Sequence, residues 1–283
     1  MQILLPPSET KRLGGRLPLF GEGESGAPAG AVAGAVEPVA GGTPSALSFA
    51  GQLGSARAAV REALVAVSSD EALATRALKL GKKNGDERLR NLELETSGVM
   101  PAIERYTGVL YDALDAGELS SEARRWVDEH VFVQSALFGL VRASDLIPGY
   151  RLSASSRLPG LGTALAKVWS QPHSQLLGGA DYVLDLRSKD YAALAPLTAL
   201  GARATDYLEI VARSDDGEVR ALNHFNKAAK GDFVRRIAQA APAVASRDDL
   251  LAWARSAELE MSVADDGATV RLVTVQGVPA GSR

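Results

Sequence analysis

The amino-acid sequence predicts a mixed α/β fold, a single elongated domain over residues 1–283 in which helices flank a mixed β-sheet. Three observations lead there. Short apolar runs of strand length recur along the chain, at residues 2–5, 131–140, 181–186, 207–212 and 269–275. Stretches with apolar positions at helical spacing lie between them, so strands and helices are interleaved. No internal repeat and no linker-bounded second apolar block divides the 283 residues, of which 46% are hydrophobic and 23% charged.

Taken in order, Ile3-Leu4-Leu5 ended by Pro6-Pro7 reads as a buried first strand. Residues 14–45 are rich in Gly, Pro, Ala and Glu without periodicity, a composition that predicts a mobile loop or lid. Residues 46–67 have helical spacing, with Arg57 and Arg61 on the polar face. A second helix is expected over 70–80, capped by Ser68 or Ser69 and stopped by Gly81. Residues 85–97 carry mixed charge and predict a shorter helix with loops. Helical turns follow at 101–106 and 107–114, and Ser120-Ser121-Glu122 opens another that carries Trp126 toward His130. The run at 131–140 reads as one strand, and residues 163–169 as a helix. Strands at 207–212 and 219–225, joined through Asp215-Asp216-Gly217, form a hairpin. Helices at 226–240 and 248–257 and a final strand at 269–275 close the chain.

Composition excludes several chemistries. There are no cysteines, so disulfides, thiol nucleophiles and thiolate metal sites are absent. No apolar run approaches the roughly 20 residues of a membrane span, and the N-terminal residues lack a secretory pattern, so a cytoplasmic location is expected. His130, His173 and His224 have no ligand spacing, and no metal site is predicted. No Walker A sequence, G-x-G-x-x-G or G-x-S-x-G occurs, and no cofactor is expected. The formal net charge of −3 gives no global pull toward polyanions, so any phosphate site must be a local concentration of Lys and Arg.

Four local features could supply one. The segment 132–169 places Arg142, Asp145 and Arg151 before the turn Leu158-Pro159-Gly160-Leu161-Gly162, which leads toward Lys167. A glycine-rich turn opening a helix offers backbone N–H groups to an anion, although such turns are also ordinary punctuation. Residues 223–236 hold Lys227, Lys230, Arg235 and Arg236 against Asp232 alone, a net +3 on a chain that is −3 overall. Lysines at the start of a helix oppose its macrodipole, so helix stability does not explain them, although a solvated basic face would. Ser8-Glu9-Thr10-Lys11 follows the first strand, and Asp185, Ser188, Lys189 and Asp190 follow the strand at 181–186, where open α/β sheets place ligand contacts.

Several ordered segments resemble the YaaA family of bacterial peroxide-stress proteins. They are the opening ILLPPSETK, Tyr106-Thr107-Gly108-Val109-Leu110-Tyr111, SALFGLVR ending at Arg142, DLIPGYRL ending at Leu152, VLDLRSKDY ending at Tyr191, and FNKAAKG ending at Gly231. The resemblance implies a mixed α/β domain with a positively charged cleft. It further implies non-specific DNA binding through a helix-hairpin-helix element, limiting oxidative damage to DNA. The implied phosphate-contacting residues are Lys11, Arg142, Arg151, Lys227 and Lys230, with the turn carrying Gly160 and Gly162 as the hairpin; Lys167 and Arg235 extend the basic set. This chain reads Pro-Pro-Ser-Glu-Thr-Lys where some relatives carry Ser-Pro-Ala-Lys-Thr, which displaces the first lysine and adds Glu9. The alternative reading is an enzyme acting on a nucleoside or phosphorylated small molecule in the same cleft, using Lys227 or Lys230 with Asp185 as partner base.

Overall fold

The computed structural model describes residues 1–16, 47–213, 219–221, 226–275 and 278–279. Among them, nine strands join one mixed sheet. Its centre is parallel. Strand β1 (Gln2–Leu5) lies between β3 (Val131–Ser135) and β6 (Tyr182–Asp185), and β7 (Ala204–Arg213) and β10 (Thr269–Val275) extend the sheet beyond β6. The register aligns Leu5 with Val133 and Leu4 with Asp185, so β1 and β6 end within one residue of each other while β3 runs on to Ser135. Ile3, Leu4 and Leu5 are fully buried, as a parallel strand covered on both faces requires.

The run at 131–140 is two strands rather than one. β3 turns at Ala136–Phe138 into antiparallel β4 (Gly139–Arg142). The apolar pattern continues through the turn because its residues are themselves buried, which hides the break. Gly139 takes φ 66° and sits against the Trp169 and His173 rings, where a Cβ would come within 2.9 Å. A two-stranded sheet of β2 (Val99–Pro101) and β5 (Leu146–Pro148) stands apart, and β9 (Met261–Val263) pairs with β10. β7 pairs antiparallel with β8 (Val219–Ala221), as the hairpin expectation requires; the turn itself and the expected loop over most of 14–45 lie outside the described residues.

Helix α1 (Ala50–Ser68) buries Leu53, Val60, Leu64 and Val67 at helical spacing. Arg57, expected on its polar face, is instead buried. Its guanidinium donates to the carbonyls of Phe138 at 2.8 Å and Leu140 at 3.1 Å, and so satisfies the β3–β4 turn. Arg61 is on the polar face and pairs with Glu95. α2 (Glu71–Ala77) is capped by Asp70, whose carboxylate accepts from the Leu73 N–H at 2.8 Å, rather than by Ser68 or Ser69. It ends before Gly81 because Lys79 already takes a left-handed conformation, φ 55°. A 3-10 turn covers Gly85–Asn91. Short helices α3 (Ala102–Arg105) and α4 (Val109–Leu114) precede α5 (Ser121–His130), capped by Ser120. After α6 (Leu165–Ser170) and α7 (Lys189–Ala192), α8 (Asn226–Ala240) packs on α4, α5 and β7, and α9 (Arg247–Ser256) follows. Gly231 is where α8 meets α4: a Cβ there would stand 2.1 Å from the Leu110 carbonyl.

Candidate functional site

From β1 the chain crosses to β3 on one side and later returns to β6 on the other. Strand order therefore reverses about β1, and the segments leaving β1 and β6 part to leave a crevice at their carboxyl ends. A cleft of about 500 Å³ lies there, lined by Pro6 to Thr10, Thr107 to Tyr111, Ser188, Tyr191 and Lys227. Its polar wall is a hydroxyl cluster. Ser8 Oγ and Thr10 Oγ1 are 3.1 Å apart, and Thr107 Oγ1 donates to Thr10 Oγ1 at 3.1 Å. Gly108, at φ 98°, lies against them: a Cβ there would stand 3.4 Å from Ser8 Oγ and 3.5 Å from Thr10 Oγ1. Lys227, exposed at the start of α8, is the one lysine in the lining.

Below the floor lie cations that hold the loops. Lys11 is buried, and its ammonium donates to the carbonyls of Ser8 at 2.9 Å and Glu9 at 3.2 Å. It also stands 4.1 Å from the Tyr150 ring centroid, a cation–π distance. Burial, with Arg151 nearby, lowers its pKa from 10.5 to about 7. Lys230 does the same work on the other side. It is buried, donates to the Leu186 carbonyl at 2.9 Å, and burial lowers its pKa to about 8 against the pull of Asp185. Tyr111 donates to the Pro6 carbonyl at 2.8 Å, while Tyr106, Tyr150 and Ser135 share hydroxyl bonds of 2.8 Å. Burial raises the pKa of all three tyrosines, so they are neutral hydroxyls.

The remaining expected residues divide between interior and surface. Arg151 is buried and bridges Glu9 at 2.9 Å to Glu87 at 3.5 Å, which offsets the charge that Glu9 brings to the cleft rim. Asp185 is buried in a two-point pair with Arg187, both oxygens at 2.8 Å, so its acceptor sites are engaged. Arg235 donates to the carbonyls of Leu114 and Asp115 at 3.0 Å. Arg142 is half-buried over the Phe132 ring, 5.0 Å from its centroid. Lys167, Gly160 and Gly162 are exposed. The turn amides of Leu161 and Gly162 already donate to Leu158 and Pro159, at 3.1 and 3.0 Å. Residues 149–158 before the turn are not helical, so α6 follows the turn without a helix directly preceding it.

A stronger surface concentration of charge went unread in the sequence. Arg76, Lys79, Lys82 and Lys83 are four exposed cations within eight residues that contain no carboxylate. Arg76 closes α2, where a helix favours a cation; the other three have no such structural reason. The Arg157 N–H donates to the Ala77 carbonyl at 3.1 Å, which brings exposed Arg157 and the turn at 158–162 beside this segment. Among the described residues, none of these five cations forms an ion pair. The signal is present in the sequence as a local net charge, like that of 223–236.

Among the described residues, no three His, Asp or Glu converge as a metal-holding group, and no helix is long and apolar enough to cross a membrane. The family model described as peroxide stress protein YaaA matches residues 1–262. A UPF0246 protein of Streptomyces coelicolor is 37% identical over 241 residues, 84% of this chain and 82% of its own length. A UPF0246 protein of Corynebacterium glutamicum is 36% identical over 264 residues, 92% and 94% of the two chains. With the family model running from β1 through β8 and over both walls of the cleft, the chain belongs to the YaaA family of peroxide stress proteins.

Proposed function

We propose that this chain serves the peroxide-stress role of its family by binding DNA phosphates without reading sequence. The contact surface is the patch of Arg76, Lys79, Lys82, Lys83 and Arg157. The observation that carries this reading is the exposure of five cations with no carboxylate partner among the described residues, on a chain whose net charge is −3. Their charge is available to phosphate oxygens, whereas Lys11, Arg151, Lys230 and Arg235 are engaged inside the fold. The neighbouring turn adds reach. Nothing stands within 4 Å of where a Gly162 side chain would be, so a phosphate backbone meets no steric barrier there. Such contacts position a duplex but carry no base information, which suits protection of DNA at large.

Fluorescence anisotropy of a labelled duplex tests the assignment. The triple variant Arg76→Gln/Lys82→Gln/Lys83→Gln, all on exposed positions, should keep the fold and lose most of the affinity at low salt. Equal binding by variant and parent would remove this surface from the account.

A further inference from the structure

We infer that the cleft at the carboxyl ends of β1 and β6 is a separate binding site for a nucleoside monophosphate. The volume of about 500 Å³ falls within the range of small-molecule sites, roughly 300–1,000 Å³, and such sites favour the switch point of an α/β sheet. Its walls sort into three chemistries. Pro6, Pro7, Val109, Leu110 and Tyr191 supply the apolar part of the lining, suited to a flat ring. Thr10 Oγ1 lies 3.1 Å from both Ser8 Oγ and Thr107 Oγ1, and this hydroxyl cluster in the cleft lining suits a polyhydroxyl moiety. Lys227 supplies a cation at the exposed rim, while the charge of Glu9 is taken up by Arg151 at 2.9 Å. Ring, hydroxyls and a single anion joined in one small molecule describe a mononucleotide.

The walls are also built to stay in place. Lys11 holds the Ser8–Glu9 backbone, Lys230 the Leu186 backbone before Ser188, and Tyr111 the Pro6 carbonyl. Three buried groups thus tie down the loops on both sides of an open cleft. A preorganised pocket loses less entropy when its ligand binds.

Isothermal titration calorimetry with AMP, adenosine and inorganic phosphate tests the site, at a salt concentration that suppresses duplex binding. AMP is expected to bind more tightly than either fragment. Lys227→Ala should weaken it roughly 10- to 100-fold, as loss of a charge-assisted contact does, and Thr10→Val by a smaller factor. Circular dichroism of each variant confirms the fold. No AMP binding at millimolar concentration overturns the inference, as does undiminished binding in Lys227→Ala. Adenosine or phosphate binding as well as AMP would each overturn it by removing one of its chemistries. Displacement of a labelled duplex by AMP at low salt would overturn the separateness of the site. Because AMP is measured without DNA, its failure leaves the DNA reading intact, and failure of the duplex to bind leaves this inference intact.

Discussion

Replacing Lys11 with methionine should flatten a rise in stability that begins near neutral pH. Methionine keeps aliphatic bulk in the site and discards the charge and its two carbonyl hydrogen bonds. Burial lowers the Lys11 pKa from 10.5 to about 7. The unfolded chain therefore keeps this proton up to about pH 10.5, whereas the folded chain releases it near 7. Between those values the unfolded state binds more protons, so stability rises with pH, by up to about 1.4 kcal/mol per pH unit. Below that window both states are protonated and folding carries the whole penalty of the buried charge. Lys230 adds a rise of the same sign from about pH 8. Tyr106, Tyr111, Tyr150 and Tyr191 oppose it at higher pH. Their pKa values are raised by burial, so the unfolded chain ionises first above about pH 10 and stability falls again. Urea denaturation followed by tryptophan fluorescence measures each point. From about pH 7 to about pH 8, where Lys230 and the tyrosines contribute least, Lys11→Met should lose about 1 kcal/mol of the rise per pH unit. An unchanged slope would refute the assignment of that titration to Lys11.

Two further substitutions probe the frame around the cleft. Gly231→Ala places a Cβ 2.1 Å from the Leu110 carbonyl, and the α4–α8 crossing cannot absorb it without backbone movement. A loss of about 3 kcal/mol is expected by denaturant titration, at the upper end for overpacking, and a loss under about 0.5 kcal/mol would contradict the close approach. Asp185→Asn leaves the Arg187 guanidinium buried without its carboxylate and should cost about 3–5 kcal/mol, whereas Asp185→Leu with Arg187→Met should recover much of it. Failure of the double variant to recover would assign the pair a role beyond mutual neutralisation.

The sheet was legible where burial is complete. Residues 2–5 and 181–186 are apolar runs cut short by Pro or followed by charge, the pattern of parallel strands covered on both faces. Ser120 and the span 226–240 were equally plain, because a cap or a sharp stop marks them. The break in 131–140 was not legible, since Ala136, Leu137 and Phe138 are as buried as the strands they join. Strands of three residues, such as Leu146–Pro148, are too short to show a period. Arg57 misled for a different reason: periodicity assigns a residue to a face by its polarity, and this guanidinium is inside because one turn carbonyl and one β4 carbonyl need it. The same limit governs the site. Ser8, Thr10, Ser188 and Lys227 all line the cleft. Lys11 and Lys230 share their sequence neighbourhood but point inward to backbone carbonyls, a destination that residue type does not reveal.

The proposed hold on DNA rests on exposed cations without carboxylate partners among the described residues, and salt measures that directly. Five phosphate contacts predict a slope of about −4.5 in log affinity against log salt, a loss of about 500-fold between about 50 and about 200 mM. The Arg76→Gln/Lys82→Gln/Lys83→Gln variant, with two of the five cations left, should bind weakly with a slope of about −2. A slope near zero in the parent, or the same slope in parent and variant, would contradict it.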